Sequence, residues 1–374
     1  MKKKILIIQP ILAHYRTSLF SNLAASDEFE INIIAGKQIG NIKEIRTSSP
    51  QILSNLINKK WRLGGHNFIW QKGVIKYALK LEPDIIVIPG VDPHFLSNLY
   101  LAIFSKLLRK TKIIWWGHAN VSQKGKMGKL FRKFFFNLGD GIFTYNEIGK
   151  KNLERLVNPT IPVAAIKNSI NYEEYGFNQL SNHLVEKKEL TILFSGRITN
   201  EKRLDILVDA MAILKAKSFE VHCFVIGEGP GRSAAEKLVQ KYELETMFTF
   251  LGERYQEECI AYFEKSDMFI LPGKVGLSII HGLSYGLPVI TSDKVGIHSP
   301  EFEIIKPGIN GDFFNGFNPA SLAEKIIKWE KNISINRKLI RDNCINSIYE
   351  EGYIPELMTN KMLDLFRKLT IGNA

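Results

Sequence analysis

Gly276 and Leu277 stand where a backbone can hold an anion. They lie in LPGKVGLSIIHGLSYGLPVITS, residues 271–292. A strand-like run ends at Leu271, and a loop carrying Gly273 and Gly276 follows. Residues 277–285 are long enough for about two helical turns, after which Gly286-Leu287-Pro288 leads into another strand-like run. The first N–H groups of such a helix have no carbonyl partner within it and point beyond the strand ends. A phosphate suits that position.

A second segment with chemistry is KGKMGKLFRKFFF, residues 124–136. Lys124, Lys126, Lys129, Arg132 and Lys133 alternate with Leu130, Phe131, Phe134, Phe135 and Phe136. Such a helix can lie in an anionic membrane surface with its aromatic groups inserted and its cations on headgroups. It can equally be an ordinary helix whose phenylalanines pack on a sheet and whose lysines are solvated. Charge is uneven along the chain: residues 1–175 hold 26 Lys and Arg against 12 Asp and Glu, and the remainder holds 24 against 26. The basic first half is expected to face something anionic, a membrane leaflet or a phosphate-bearing substrate. No nucleic-acid motif accompanies the charge.

The elements that must position these groups follow from length and periodicity. A chain of 374 residues with 45% hydrophobic content suits two domains of ordinary size. Cys223, Cys259 and Cys344 are scattered and odd in number, as for reduced thiols in a cytoplasmic protein, and imply neither a disulfide framework nor a metal site. The opening MKKKILIIQP is read as a buried first strand, because Pro10 cuts the apolar run and no cleavage site follows. Charges at Lys106, Arg109, Lys110 and Lys112 interrupt the next apolar stretch, so no membrane-spanning helix is expected. Strand-like runs at residues 5–8, 30–35, 85–89, 113–116, 141–144 and 163–166, separated by amphipathic segments, predict an α/β domain with a parallel sheet. A polar linker at 178–188 precedes a second such series at 190–195, 220–226, 248–251, 268–271 and 289–292, with helices at 205–217, 233–241 and 257–265. Three helices are expected after Pro319, the last opened by Pro355. In doubly wound sheets ligands bind beyond the carboxyl ends of the strands, so the loops there are the ones to read.

Residues 271–292 resemble the donor-site signature of the retaining glycosyltransferases grouped as family 4, which runs E-G-F-G-L-x-x-L-E-A-M-A-x-G-x-P-V-I. Gly276, Leu277, Gly286, Pro288, Val289 and Ile290 align with it, while the family's two glutamates fall on Gly273 and His281. Ser195-Gly196-Arg197-Ile198-Thr199-Asn200-Glu201-Lys202 looks like the family's G-R-L-x-x-E-K segment. Ile226-Gly227-Glu228-Gly229-Pro230 is similar to its V-G-D-G-P loop, and Phe250-Leu251-Gly252-Glu253-Arg254 to its F-L-G-x segment. The resemblance implies the GT-B fold of two Rossmann-like domains facing a cleft. The acceptor-binding domain would span 1–175 and the nucleotide-sugar domain 189–350, with a final helix in 351–374 crossing back to the first.

The same resemblance assigns roles. Arg197 and Lys202, with Gly196, would hold the diphosphate of a nucleotide sugar, stabilising the charge that grows on it as the glycosidic bond breaks. Glu228 and Arg254 would lie near the nucleoside. His281 would offer a ring nitrogen to the ribose, or else pack against the neighbouring strand. With Gly273 lacking a side chain, Lys274 or the backbone through Gly276 and Leu277 would meet the sugar. His118, in Trp115-Trp116-Gly117-His118, matches a histidine that faces the donor sugar and acts by hydrogen bonding; a buried core histidine is the alternative. Arg16, in a P-x-x-x-x-Y-R-x-x-L-F variant of the first loop, would bind a phosphate or sit on the surface. Asp92 and His94 are further acceptor-side candidates. The expected activity is retaining, metal-independent transfer of a hexose-type sugar, without a cofactor, to a lipid-linked or polysaccharide acceptor, as in bacterial surface-polysaccharide assembly at the inner membrane face. Asp-x-Asp, the metal-binding mark of the other large glycosyltransferase fold, is absent. A catalytically silent nucleotide-sugar-binding partner and a GT-B sugar-nucleotide epimerase are the competing readings.

Overall fold

The computed structural model describes residues 2–37, 49, 51–92, 94–108, 111–118, 125–170, 189–254 and 257–371. Lys124 and the expected linker at 178–188 lie outside the described residues. The chain divides into two compact units, Met1–Asn171 with Ile354–Ala374, and Tyr172–Tyr353.

In the first unit the chain runs β1 (Lys3–Gln9), α1 (Thr17–Ala24), β2 (Phe29–Gly36), β3 (Ile52–Leu63), β4 (His66–Lys72), α2 (Val74–Leu81), β5 (Ile85–Pro89), α3 (Leu96–Leu108), β6 (Lys112–Trp116), α4 (Lys126–Leu138), β7 (Gly141–Thr144), α5 (Glu147–Glu154) and β8 (Val163–Ala165). The second comprises β9 (Leu190–Ser195), α6 (Leu204–Ala216), β10 (Val221–Ile226), α7 (Arg232–Lys241), β11 (Phe248–Gly252), α8 (Glu257–Glu264), β12 (Met268–Leu271), α9 (Ser278–Ser284), β13 (Val289–Ser292), β14 (Gly311–Phe314) and α10 (Pro319–Glu350). Helix α10 is kinked at Asn336, so with α11 (Pro355–Ile371) the tail holds three helical segments.

The first sheet has the order β4-β3-β2-β1-β5-β6-β7-β8. Its pairs are parallel except β3 with β4. Ile5, Leu6, Ile7 and Ile8 are all fully buried, which is why β1 reads as an unbroken apolar run: both faces of a parallel sheet are covered. Alternate residues feed two cores. Ile5, Ile7, Val87, Ile114 and Phe143 pack with Leu19, Phe20 and Leu23 of α1 and with Met358, Met362 and Phe366 of α11. Leu6, Ile8, Ile86, Ile88 and Trp115 pack on the other face with residues of α2, α3, α4 and α5.

The second sheet, β11-β10-β9-β12-β13-β14, is parallel throughout. Strand order reverses between β1 and β5 in one unit and between β9 and β12 in the other. The loops leaving those strands therefore diverge to opposite faces and leave a crevice at each carboxyl end.

Strands β3, β4 and β14 go beyond the sequence expectation. Residues 57–63, INKKWRL, lack a continuous apolar core, because this part of β3 pairs antiparallel with β4 as a ribbon exposed from Lys59 to Asn67. Its signal was Gly64-Gly65, whose φ values of 55° and 81° make the tight two-residue turn that joins Leu63 to His66.

Candidate functional site

At the crevice of the second unit, the loops after β9 and β12 are tied backbone to backbone. Gly273 N–H donates to the Lys202 carbonyl at 3.0 Å, and Lys274 N–H to the Glu201 carbonyl at 2.8 Å. This contact requires a glycine. A Cβ on Gly273 would lie 2.0 Å from the Glu201 carbonyl oxygen and 2.6 Å from the Lys202 carbonyl carbon. The missing first carboxylate thus has a steric cause: the turn at Asn200–Lys202 fills the space its side chain would enter.

Lys202 is the cation this arrangement places most narrowly. Its ammonium donates to the Lys274 carbonyl at 2.7 Å. Desolvation, then the Lys274 charge, pull its pKa down to about 8, with Glu201 acting against them. Lys274 in turn pairs with Glu201 across 3.2 Å. Arg197 is exposed at the head of the same loop. Thr291 Oγ1 donates to the Leu271 carbonyl at 2.7 Å and so fixes the end of β12.

Gly196 N–H donates to the Ile226 carbonyl at 3.0 Å, and Ile198 N–H to the Glu228 carbonyl at 2.8 Å, which joins the loops after β9 and β10. Gly227, at φ 134°, has no room for a Cβ, which would meet the Gly196 carbonyl oxygen at 2.1 Å. The Glu228 carboxylate pairs with Arg232, whose Nε donates to Glu236 at 2.8 Å. Arg254 is exposed beyond β11. His281, half-buried on α9, sets its ring edge-on to Phe263 of α8 at 6.4 Å, and Phe263 stacks on Tyr285 at 4.6 Å. The histidine is thus packed against an aromatic cluster on a helix. Gly276 and Leu277 lie half-buried just before α9.

Sequence reasoning passed over His298. Its Nδ1 accepts from Val275 N–H at 3.3 Å and its Nε2 faces the Ser292 carbonyl at 2.9 Å, so it connects the β12 loop to the end of β13. Only its place shortly after a strand end marked it in the sequence.

In the first unit Arg16 is buried, which corrects the surface reading. It donates to Gln9 Oε1 at 2.7 Å, Tyr145 Oη at 2.9 Å and Asn168 Oδ1 at 3.4 Å, with its guanidinium 4.5 Å over Trp116. His118 is exposed, which corrects the core-histidine reading. Its ring lies 4.7 Å from Tyr145. Lost hydration first, and the Arg16 charge second, hold its pKa below the ordinary value; the Arg16 charge is the cause a single substitution can remove. Asp92 accepts from His94 Nδ1 at 3.0 Å, and His94 Nε2 lies 3.3 Å from Nδ1 of His66, a residue not foreseen. A carboxylate only accepts, so it selects the Nδ1–H form of His94 and leaves Nε2 to accept from His66.

Helix α4 divides its apolar residues. Phe135 and Phe136 are buried against the sheet, while Met127, Leu130 and Phe134 face water. Among the described residues no helix is long and apolar enough to cross a membrane, and no group of three or more His, Cys, Asp or Glu is arranged to hold a metal ion.

The family model for glycosyl transferases group 1 matches residues 178–345. The amylovoran biosynthesis glycosyltransferase AmsK of Erwinia amylovora is 27% identical over 131 residues, 33% of this chain and 31% of that protein. The chain thus matches about a third of the length of that curated relative. Among solved structures, a glycosyltransferase of Rickettsia africae superposes with a TM-score of 0.71 at 18% identity, covering all of both chains. HepE of Anabaena, solved in complex with UDP, superposes with a TM-score of 0.67 at 15% identity over 98% of this chain and 100% of that one. Two Rossmann-like units with these neighbours make this a GT-B fold.

Proposed function

We propose that this chain transfers a sugar from a nucleoside diphosphate sugar to a lipid-linked or polysaccharide acceptor, with retention and without a metal. The observation that carries the reading is the Lys202 ammonium, fastened to the Lys274 carbonyl at the crevice between β9 and β12. A partly desolvated cation at a strand-order reversal is suited to a diphosphate, because its field is weakly screened there. Arg197 adds a planar donor fork. As the glycosidic bond breaks, negative charge grows on the leaving diphosphate, and these two cations stabilise it. The leaving phosphate takes the acceptor hydroxyl proton as the acceptor attacks from the same face. The group 1 match over residues 178–345 and the UDP in HepE support the donor class; AmsK supports the polysaccharide setting.

The acceptor side accounts for the basic first half. Strands β3 and β4 and helices α3 and α4 contain no Asp or Glu. Helices α3 and α4 cover the same face of the first sheet. Tyr100, Ile103 and Leu107 form an exposed stripe on α3, as Met127, Leu130 and Phe134 do on α4, and Trp61 and Leu63 are exposed on the ribbon. Apolar stripes with cations and no carboxylates suit an anionic leaflet, where a lipid-linked acceptor would be met from the cytoplasmic side.

The donor reading is tested by thermal denaturation with UDP and UDP-sugars. A ligand at 100 times its Kd adds about 2.7 kcal/mol of stability, so the melting temperature should rise for the wild type and not for Arg197→Ala with Lys202→Ala. Sugar transfer or donor hydrolysis lost in the same variant supports catalysis, whereas no shift with any nucleoside diphosphate overturns the reading.

A further inference from the structure

We propose that His298 is a positioning residue for the donor loop, holding Val275 through a neutral, Nε2-protonated ring. This rests on the reading of residues 272–277 as the phosphate-facing loop. Val275 is buried and sits between Lys274, whose carbonyl takes the Lys202 ammonium, and Gly276. The segment after β13 takes both of its backbone polar groups. Val275 N–H donates to His298 Nδ1 at 3.3 Å, and its carbonyl accepts from Ser299 N–H at 3.0 Å. The second ring nitrogen faces the Ser292 carbonyl at 2.9 Å.

These partners settle the tautomer. A carbonyl can only accept, so Nε2 carries the proton; a backbone N–H can only donate, so Nδ1 carries none. The ring leans on Phe302, with 5.8 Å between centroids. Protonation at Nδ1 would set a donor against the Val275 donor and break the tie.

The charged groups on the elements around the ring are Glu201 and Lys202 on the turn after β9, Lys274 on the loop, Asp293 and Lys294 after β13, and Glu301 and Glu303 on the turn carrying Phe302. Burial lowers the pKa of His298 most; the bond to Ser292 works the other way, and the Lys202 charge lowers it further. The tie is therefore intact at neutral pH and released by acid, under conditions in which Lys202 remains charged. Donor binding acquires an acid limb that belongs to His298.

The test has two arms on the full chain. In the first, imidazole nitrogen chemical shifts should show His298 as the Nε2–H tautomer at neutral pH, and the protection of the Val275 amide, its exchange rate relative to that of an unstructured amide at the same pH, should fall as the ring takes up a proton. An Nδ1–H tautomer, a ring protonated at neutral pH or a Val275 protection indifferent to that titration overturns the proposal. In the second, binding of UDP-glucose, whose diphosphate has no ionisation in this range, is followed from about pH 5 to about pH 8, across the histidine range. His298→Ala should bind it about tenfold more weakly at neutral pH, on the order of one lost hydrogen bond, and should lack the acid limb. His298→Asn, which keeps an acceptor beside Val275 and does not titrate, should retain most of the affinity and also lack that limb. An acid limb of wild-type size in both variants refutes the proposal. If the wild type binds neither UDP nor UDP-glucose at any pH, the nucleotide reading fails, and the first arm still decides the tie.

Discussion

The carbonyl oxygen of Glu201 stands where the first side-chain carbon of residue 273 would be, 2.0 Å from an ideal Cβ on Gly273. The departure from E-G-F-G-L at that position and the turn after β9 are therefore one feature. Gly273→Ala should drive the two loops apart and break the bonds from Gly273 to Lys202 and from Lys274 to Glu201, at a cost of about 1–3 kcal/mol, the range for overpacking. Gly273→Glu should lose more, and should not improve donor binding. Urea unfolding midpoints with UDP titration would check both; a Gly273→Glu protein of wild-type stability would refute the steric account.

Lys202, with a pKa of about 8, makes donor binding sensitive to alkali. The protonated form attracts a diphosphate and the neutral form does not, so affinity should decline as pH rises through about 8, and a bound diphosphate should push the transition upward. Stability changes in the opposite sense. The folded pKa lies below that of an unfolded lysine, so the unfolded chain binds more protons there between the two values, and the contribution of Lys202 to stability should increase with pH from about 8 to about 10. Cys223, Cys259 and Cys344, whose thiols burial holds above their ordinary value, act in the opposite sense over the same interval. The Lys202 share is therefore read as the difference between wild type and Lys202→Met in denaturant melts, and isothermal titration of UDP should lose its alkaline decline through about pH 8 in that variant.

Arg16 links the start of α1 to Tyr145 and Asn168, far along the chain. Arg16→Met should leave these buried groups and Gln9 without their donor and cost about 2–4 kcal/mol, on the scale of a buried, charge-assisted network. It should also raise the pKa of His118, because the Arg16 charge is one of the causes that lower it. Proton NMR of the His118 ring would show this; an unmoved titration would mean that hydration alone sets the shift.

The exposed stripe on α4 predicts lipid binding. Lys129→Glu with Arg132→Glu, and separately Leu130→Ser with Phe134→Ser, should each reduce sedimentation with phosphatidylglycerol vesicles without lowering the melting temperature much, since Lys129, Leu130 and Phe134 are exposed and Arg132 only half-buried. Sedimentation unchanged in both would remove the membrane from the proposed function.

Much of this was legible along the chain, because a parallel strand buried on both faces writes itself as a short apolar run and a ligand loop follows its end. Residues 85–89, 190–195, 268–271 and 289–292 needed only local pattern, and the loops bearing Arg197, Lys202, Glu228 and Gly276 could be placed in order from them. The ribbon β3–β4 was harder, since its tip is exposed on both faces and shows no apolar run. What the linear order could not decide was which distant backbone or side chain fills each neighbour's space. Arg16 is a buried anchor rather than a surface charge because Tyr145 and Asn168 converge on it. Gly273 excludes a carboxylate because a turn some seventy residues earlier presses against it. His298 acquires a role only when β13 is laid beside β12. Pattern and propensity are local quantities, readable one segment at a time, whereas steric exclusion, tautomer and charge coupling arise between segments and exist only once the chain has closed on itself.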